Sequence, residues 1–209
     1  TDGLSRYEGN TFTNFICNID DPKTLSNNYI NAICEDSIGN LYIGTEDGLN
    51  IYNRKNQNFK RIYRDTTLHT TLPSNRIYAL EIDKKNRLWI GTYYGMVLYN
   101  ISNQSFIDPK SVIKDLMGLD TFFITTFFKD EKKNIWTGTY KRGFFKFNQD
   151  NYELTNYLVH DEKEYAYLNN TIYRIFEDSY SNIWITTGNG IAKLDSEQRK
   201  IKRFIYSKS

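Results

Sequence analysis

The chain repeats itself every 47 residues. Asn40-Leu41-Tyr42-Ile43-Gly44-Thr45 returns as Arg87-Leu88-Trp89-Ile90-Gly91-Thr92, then as Asn134-Ile135-Trp136-Thr137-Gly138-Thr139 and Asn182-Ile183-Trp184-Ile185-Thr186-Thr187. Leu41, Leu88 and Ile135 are spaced by 47 and 47, and Ile183 follows after 48. A fixed period of this length means one supersecondary unit stacked in an array, and it constrains the fold more tightly than any local propensity.

The rest of each unit keeps the register. An apolar run ending in an acid precedes each block, from Ile30 to Asp36, Ile77 to Asp83, Ile124 to Asp130 and Ile172 to Asp178. A glycine then opens another short run, at Gly48, Gly95, Gly143 and Gly190; Gly143 comes one residue late, after Tyr140-Lys141-Arg142, which accounts for the 48. A fourth run closes the unit, clearest at Phe59 to Tyr63 and Ile201 to Tyr206. Runs rich in Ile, Tyr, Phe and Trp, separated by Gly, Asn and Asp, read as antiparallel meanders. The first strand is apolar at nearly every position and is expected to be buried on both faces. The fourth alternates apolar with polar and has a wet side. The pattern predicts an all-β chain forming one domain over 1–209, a partial β-propeller. It has four full four-stranded blades at about 30–63, 77–107, 124–157 and 172–206, plus an N-terminal half blade at 3–16.

The turns have their own chemistry. Asp36-Ser37-Ile38-Gly39 and Asp83-Lys84-Lys85-Asn86 put Gly or Asn where a positive φ is expected, with Asp placed to accept bonds from the turn amides. A calcium site would need further carboxylates at ligand spacing within the turn, and none follows. The Gly-Thr pairs end strands with no Lys or helix start after them, unlike a phosphate cradle. Trp89, Trp136 and Trp184, with Tyr42 in the fourth place, recur in every unit and are expected to pack between blades.

With 27 basic and 25 acidic residues, net charge +2, there is no electrostatic case for nucleic acid. No apolar stretch approaches the ~18 residues of a membrane span, and no signal peptide opens the chain. Gly3-Leu4 corresponds to Gly48-Leu49, the middle of a unit, so the polypeptide is expected to begin upstream. Cys17 and Cys34 fall about three strand spacings of ~4.8 Å apart. That is too far for a disulfide, so two free thiols are expected.

The unit Thr24 to Ile30, Glu35 to Thr45 and Asp47 to Tyr52 resembles the two-component regulator propeller repeat, and the resemblance covers almost the whole chain. It implies the periplasmic sensor region of a hybrid two-component system of the Bacteroides type. Such a parent protein sits in the inner membrane and carries tandem propellers, a β-sandwich, a membrane helix, a histidine kinase core and a regulator with a DNA-binding tail. The resemblance further implies an oligosaccharide ligand and control of glycan-utilisation genes. The chain departs from the pattern at Phe122-Phe123, which replaces the Asn-x before Ile30, Ile77 and Ile172, and at Thr186, which replaces Gly. These are either blade variation or positions turned toward a ligand.

Three classes of function are weighed: a sugar-binding sensor module, a structural or protein-binding propeller, and a propeller enzyme. His69 and His160, the two histidines, fall in polar linkers, and no nucleophile elbow, zinc spacing or cofactor fingerprint occurs. No catalytic residue, metal or cofactor is expected. Sugars are commonly held by aromatic faces with polar groups around them. Most aromatics here occupy strand positions, where packing explains them. The exceptions lie between second and third strands: Tyr93, Tyr94, Tyr140, Lys141, Arg142 and, in the last unit, Asn189. Arg76, Tyr78, Tyr173 and Arg174 start innermost strands and are the further candidates for ligand binding. The half blade leaves an open arc with apolar ends, for which a homo-oligomer is the expected outcome.

Overall fold

The computed structural model describes residues 2–159, 170–195, 197 and 200–204; His160, Ile205 and Tyr206 lie outside the described residues. The first hairpin pairs β1 (Leu4–Tyr7) with β2 (Phe12–Phe15). Four meanders follow, each pairing its strands antiparallel in chain order. The first contains β3 (Ile30–Glu35), β4 (Leu41–Thr45), β5 (Gly48–Asn53) and β6 (Asn58–Ile62). The second contains β7 (Ile77–Ile82), β8 (Arg87–Thr92), β9 (Gly95–Asn100) and β10 (Ser105–Ile107). The third contains β11 (Ile124–Lys129), β12 (Ile135–Thr139), β13 (Phe144–Phe147) and β14 (Leu154–Tyr157). The fourth contains β15 (Ile172–Glu177), β16 (Ile183–Thr187), β17 (Gly190–Leu194) and β18 (Ile201–Phe204). The first strands of successive sheets pack on one another, β3 on β7, β7 on β11 and β11 on β15, as the inner strands of propeller blades do.

One aspartate shapes each inner hairpin. Oδ1 of Asp36 accepts from the amides of Ile38 (3.1 Å) and Asn40 (2.9 Å), and Oδ1 of Asp178 from those of Tyr180 and Asn182 (2.9 Å each). The tight turn needs one left-handed residue, and Gly39 (φ 89°), Asn86 (57°), Lys133 (65°) and Ser181 (60°) occupy it in the four sheets. The other carboxylate oxygen holds the recurrent aromatic. Indole nitrogens of Trp89, Trp136 and Trp184 donate to Asp83, Asp130 and Asp178 at 3.1, 2.9 and 2.7 Å, and the Tyr42 hydroxyl lies 3.2 Å from Asp36. These carboxylates are hydrogen-bonded by the protein itself, which is the structural reading of the turns.

The aromatic so anchored becomes the core between sheets. Trp89 packs with Ile124, Ile135, Phe145 and Phe147 of the third sheet, its ring 5.0 Å from that of Phe147. Trp136 meets Ile172, Ile175 and Ile183 of the fourth, and Tyr42 meets Ile77, Leu88 and Ile90 of the second. The Gly of Gly-Thr permits this approach. A Cβ on Gly44 or Gly91 would stand 2.5 Å from Cγ2 of Ile77 or Ile124 in the next sheet, closer than van der Waals contact allows. Thr186 replaces that glycine on the one Trp-bearing face that no following sheet covers among the described residues. There Phe176, Ile191 and Phe204 are 60, 45 and 42% exposed, and Trp184 is only half-buried. This departure is therefore blade variation.

One expectation needs correction. Burial on both faces belongs to the second strand, as in β8 and β12, while the first strand is only partly buried. The reason is a β-bulge that recurs in all four first strands, at Ile30/Ala32, Ile77/Ala79, Ile124/Thr126 and Ile172/Arg174, turning one side chain out of the sheet. Two of these reach the next sheet: Asn31 Nδ2 donates to the Ile77 carbonyl (2.9 Å) and Thr125 Oγ1 to that of Ile172 (2.5 Å). The stretch 108–123, passed over in the sequence, also enters the core. A 3₁₀ turn at Pro109–Ser111 is capped by Asp108, and Ile113, Leu116 and Leu119 are buried beside Trp89. Cys17 and Cys34 are free thiols; burial, then the Glu81 charge, push Cys34 up to about 12.

Trp136→Ala is expected to cost about 3–5 kcal/mol in denaturant unfolding, and Trp184→Ala at least ~1 kcal/mol less because its outer face is half-open. An equal loss at both would contradict the packing. Acid acts through the hairpins. The Trp184 indole, with Asn182 and the turn amides, holds the Asp178 carboxyl well below the usual range. For Asp36 burial raises the value, but the bonds from Asn40, Ile38 and Tyr42 together lower it. A carboxyl depressed in the folded state contributes stability above its unfolded value near ~3.9, lost as pH falls through the folded one. The melting temperature should therefore hold from pH 7 to about 5 and then fall, with a shallower fall in Asp178→Asn.

Candidate functional site

The turns between second and third strands all lie at one end of the sheets, and each is built the same way. The threonine of Gly-Thr donates to the carbonyl of the glycine that opens the next strand: Thr92 Oγ1 to Gly95 at 2.8 Å and Thr139 Oγ1 to Gly143 at 2.6 Å. The residue after that threonine bonds back to the residue preceding the first strand. Thus the Tyr93 amide donates to the Arg76 carbonyl (3.1 Å) and the Tyr140 amide to that of Phe123 (3.0 Å). Backbone geometry therefore puts Arg76 beside Tyr93, and Phe123 beside Tyr140.

Phe123 then joins the two sheets. Its ring lies 4.7 Å from Tyr78, 5.1 Å from Tyr93 and 5.8 Å from Tyr140, and Tyr93 meets Tyr94 edge-on at 4.7 Å. The result is a ridge of five rings running from the second sheet to the third. Tyr94 and Tyr140 are its open ends, 59 and 44% exposed. Cations sit on the rings: Arg76 5.8 Å from the centroid of Tyr93, Lys141 4.8 Å from Tyr140 and Arg142 5.2 Å from Phe122. Glu46, from the turn of the first sheet, organises one side. It accepts from Asn31 at 3.0 Å and lies 3.7 Å from Arg76. Burial, and then this carboxylate, push the Tyr78 hydroxyl above its ordinary value, so it stays a protonated donor.

Six of the residues singled out in the sequence thus come together: Arg76, Tyr78, Tyr93, Tyr94, Tyr140 and Lys141; Arg142, in the same turn as Lys141, lies over Phe122, outside the five rings. The other three lie on the fourth sheet. Tyr173 occupies its bulge and is exposed, Arg174 folds back to donate to the Tyr173 carbonyl (2.8 Å), and the Asn189 amide donates to Thr187 (3.1 Å). Among the described residues the chain of ring contacts ends at Tyr140. His69 is exposed in the linker before β7. A cleft of about 390 Å³ lies elsewhere, between the first two sheets, lined by Tyr52, Phe59, Lys60, Tyr99 and Gln104.

Phe123 and Glu46 were not assigned from the sequence, although the break at Phe122-Phe123 was the available signal. Elsewhere the replaced Asn ties the preceding linker to its sheet: Asn28, Asn75 and Asn170 accept from Cys17, Arg64 and Val159 at 2.6–2.8 Å. In the third unit the linker takes over, Met96 donating to the Leu119 carbonyl at 3.0 Å, and the Asn position is released to Phe122, which packs against Phe145 beside the hub residue Phe123.

Comparison with known proteins places this architecture. Residues 24–47, 71–94 and 166–189 match the two component regulator propeller repeat. The unit without a match is the third, which carries Phe122-Phe123. Over 93 residues, 41% of its length, the chain is 34% identical to histidine kinase P4 of Formosa agariphila and covers 7% of that protein. Two solved structures share the fold. One is the extracellular domain of a B. thetaiotaomicron protein assigned as a hybrid two-component system: 25% identity, 92% of this chain and 24% of that one, TM-score 0.70. A second domain so assigned, from the same organism, aligns at 21% identity over 99% of this chain and 28% of that one, TM-score 0.75. The chain thus spans about a quarter of the solved domains and far less of the kinase. Three of its segments match the two component regulator propeller repeat, and its fold is that of these extracellular domains.

Replacing the hub tests the ridge as a built unit. Phe123→Ala should cost only about 1–2 kcal/mol, since the ring is half-buried. Amide exchange should quicken at 93–95 and 140–143 while β8 and β12 keep their protection. Unchanged exchange in both turns would show that the rings do not support one another.

Proposed function

We propose that this chain is part of the extracytoplasmic sensor region of a hybrid two-component system and that it recognises an oligosaccharide on the Phe123-centred ridge. The observation that carries this reading is the placement of Tyr94, Tyr93, Phe123 and Tyr140 in one row at the end of the sheets. Rings buried between sheets contribute to stability; rings half-exposed in turns contribute little to it. A row of such rings offers stacking faces, and the hydroxyls of Tyr94 and Tyr140 with the cations beside them offer donors for sugar oxygens. The repeat and the relatives support the sensor setting, with the periplasm as the compartment and the inner membrane as the place of the parent protein. In this reading the propeller binds rather than catalyses, and signalling proceeds through domains outside this chain to genes for glycan use.

Calorimetric titration against a panel of plant and host oligosaccharides tests the proposal. A ligand is expected to raise the melting temperature as ln(1 + [L]/Kd), and Tyr94→Ala with Tyr140→Ala is expected to abolish that rise in a protein that still folds. Undiminished affinity in the folded double variant would overturn the site. A purely structural or protein-binding propeller would show no saccharide response at all.

A further inference from the structure

We infer that the saccharide taken by the ridge is an acidic one, bearing carboxylate or sulfate groups. This rests on the ridge being the recognition surface. A surface for neutral sugars needs stacking faces and neutral hydrogen-bonding groups. Here cations border the aromatic row instead, Arg76 over Tyr93 and Lys141 over Tyr140, with Arg142 of the same turn over the neighbouring Phe122. Each is held on a ring, which removes much of the rotamer freedom a long basic side chain loses on binding an anion.

The neighbouring acid does not cancel this. Glu46 is engaged by Asn31 and Tyr78 as well as by Arg76, and its separation of 3.7 Å from Arg76 Nε is long for a charge-assisted hydrogen bond. The Arg76 side chain is 60% exposed, so its fork remains open to a second anion. Lys141 and Arg142 belong to the turn Tyr140-Lys141-Arg142, which is one residue longer than its counterparts in the other units. Lys141 adopts φ 65°, a left-handed conformation uncommon for a non-glycine residue. The lengthened turn thus carries two charges beside the ridge at some backbone cost. Guanidinium and ammonium groups bind carboxylate and sulfate alike, so the geometry assigns the anionic class and the arms of the experiment separate the two.

The experiment titrates the chain with matched-length neutral, uronate-containing and sulfated oligosaccharides, and with a single-stranded oligonucleotide, at 50 and 500 mM salt. One or both acidic sugars should bind at least ~10-fold more tightly than the neutral one at low salt, with the advantage shrinking at high salt. Arg76→Gln with Arg142→Gln should bring the acidic-to-neutral ratio towards one, while Tyr94→Ala with Tyr140→Ala should weaken every sugar. Neutral and acidic sugars binding equally, with the tyrosine variant losing both, would overturn the charge inference and leave the ridge standing. Acidic binding that survives the tyrosine variant, or no saccharide binding at all, would overturn both. Tighter binding of the oligonucleotide than of either acidic sugar would overturn the assignment to saccharide.

Discussion

Each sheet depends on one carboxylate that serves two elements at once. Asp83, Asp130 and Asp178 accept turn amides through one oxygen and an indole through the other. The turn is local, but the indole is the largest group in the layer that seals one sheet to the next. Fixing the hairpin therefore fixes the angle at which the next sheet is met. The glycine of Gly-Thr completes the contact by letting an isoleucine of the following first strand approach within a distance no Cβ would tolerate. Only three positions per unit, Asp, Trp and Gly, set the stacking, which is why they stand out as a repeat.

That economy explains what was legible. The strand number, their order and the packing role of Trp89 and Trp136 follow from periodicity, because each unit must present the same groups to the same neighbour. The indole's polar partner was not read, since Asp130 lies in the turn six residues before Trp136 of the second strand and the two meet only once the hairpin closes. The bulge was invisible for a different reason. The first strand is apolar throughout, and an uninterrupted apolar run gives no sign of where the ladder slips by one residue. The stretch 108–123 has neither strand nor helix period, yet Ile113 and Leu119 are fully buried, because they fill space beside a single indole and need no repeat to do so.

The candidate site was legible where it departs from the repeat. Tyr93-Tyr94 and Tyr140-Lys141-Arg142 fall in turns that packing does not use, and bulky groups there required another explanation. That they form one surface came from Phe123, whose position normally holds Tyr29, Arg76 or Thr171. A substitution between sheets converts two separate turns into a continuous row, and no single-unit pattern announces it. On the fourth sheet the corresponding turn is Gly188-Asn189, which carries no ring, and Tyr173 takes the place of Tyr78.

The central claim is that stacking is the duty of the repeated residues and recognition that of the unrepeated ones on the ridge. Hydroxyl-radical footprinting read by mass spectrometry, with and without an acidic oligosaccharide at saturating concentration, addresses it most directly. The account predicts protection of Tyr94 and Tyr140 with none at Tyr180, a comparably reactive ring that is 80% exposed on the fourth sheet. Protection confined to the exposed face around Phe176 and Trp184, with Tyr94 and Tyr140 unchanged, would contradict it.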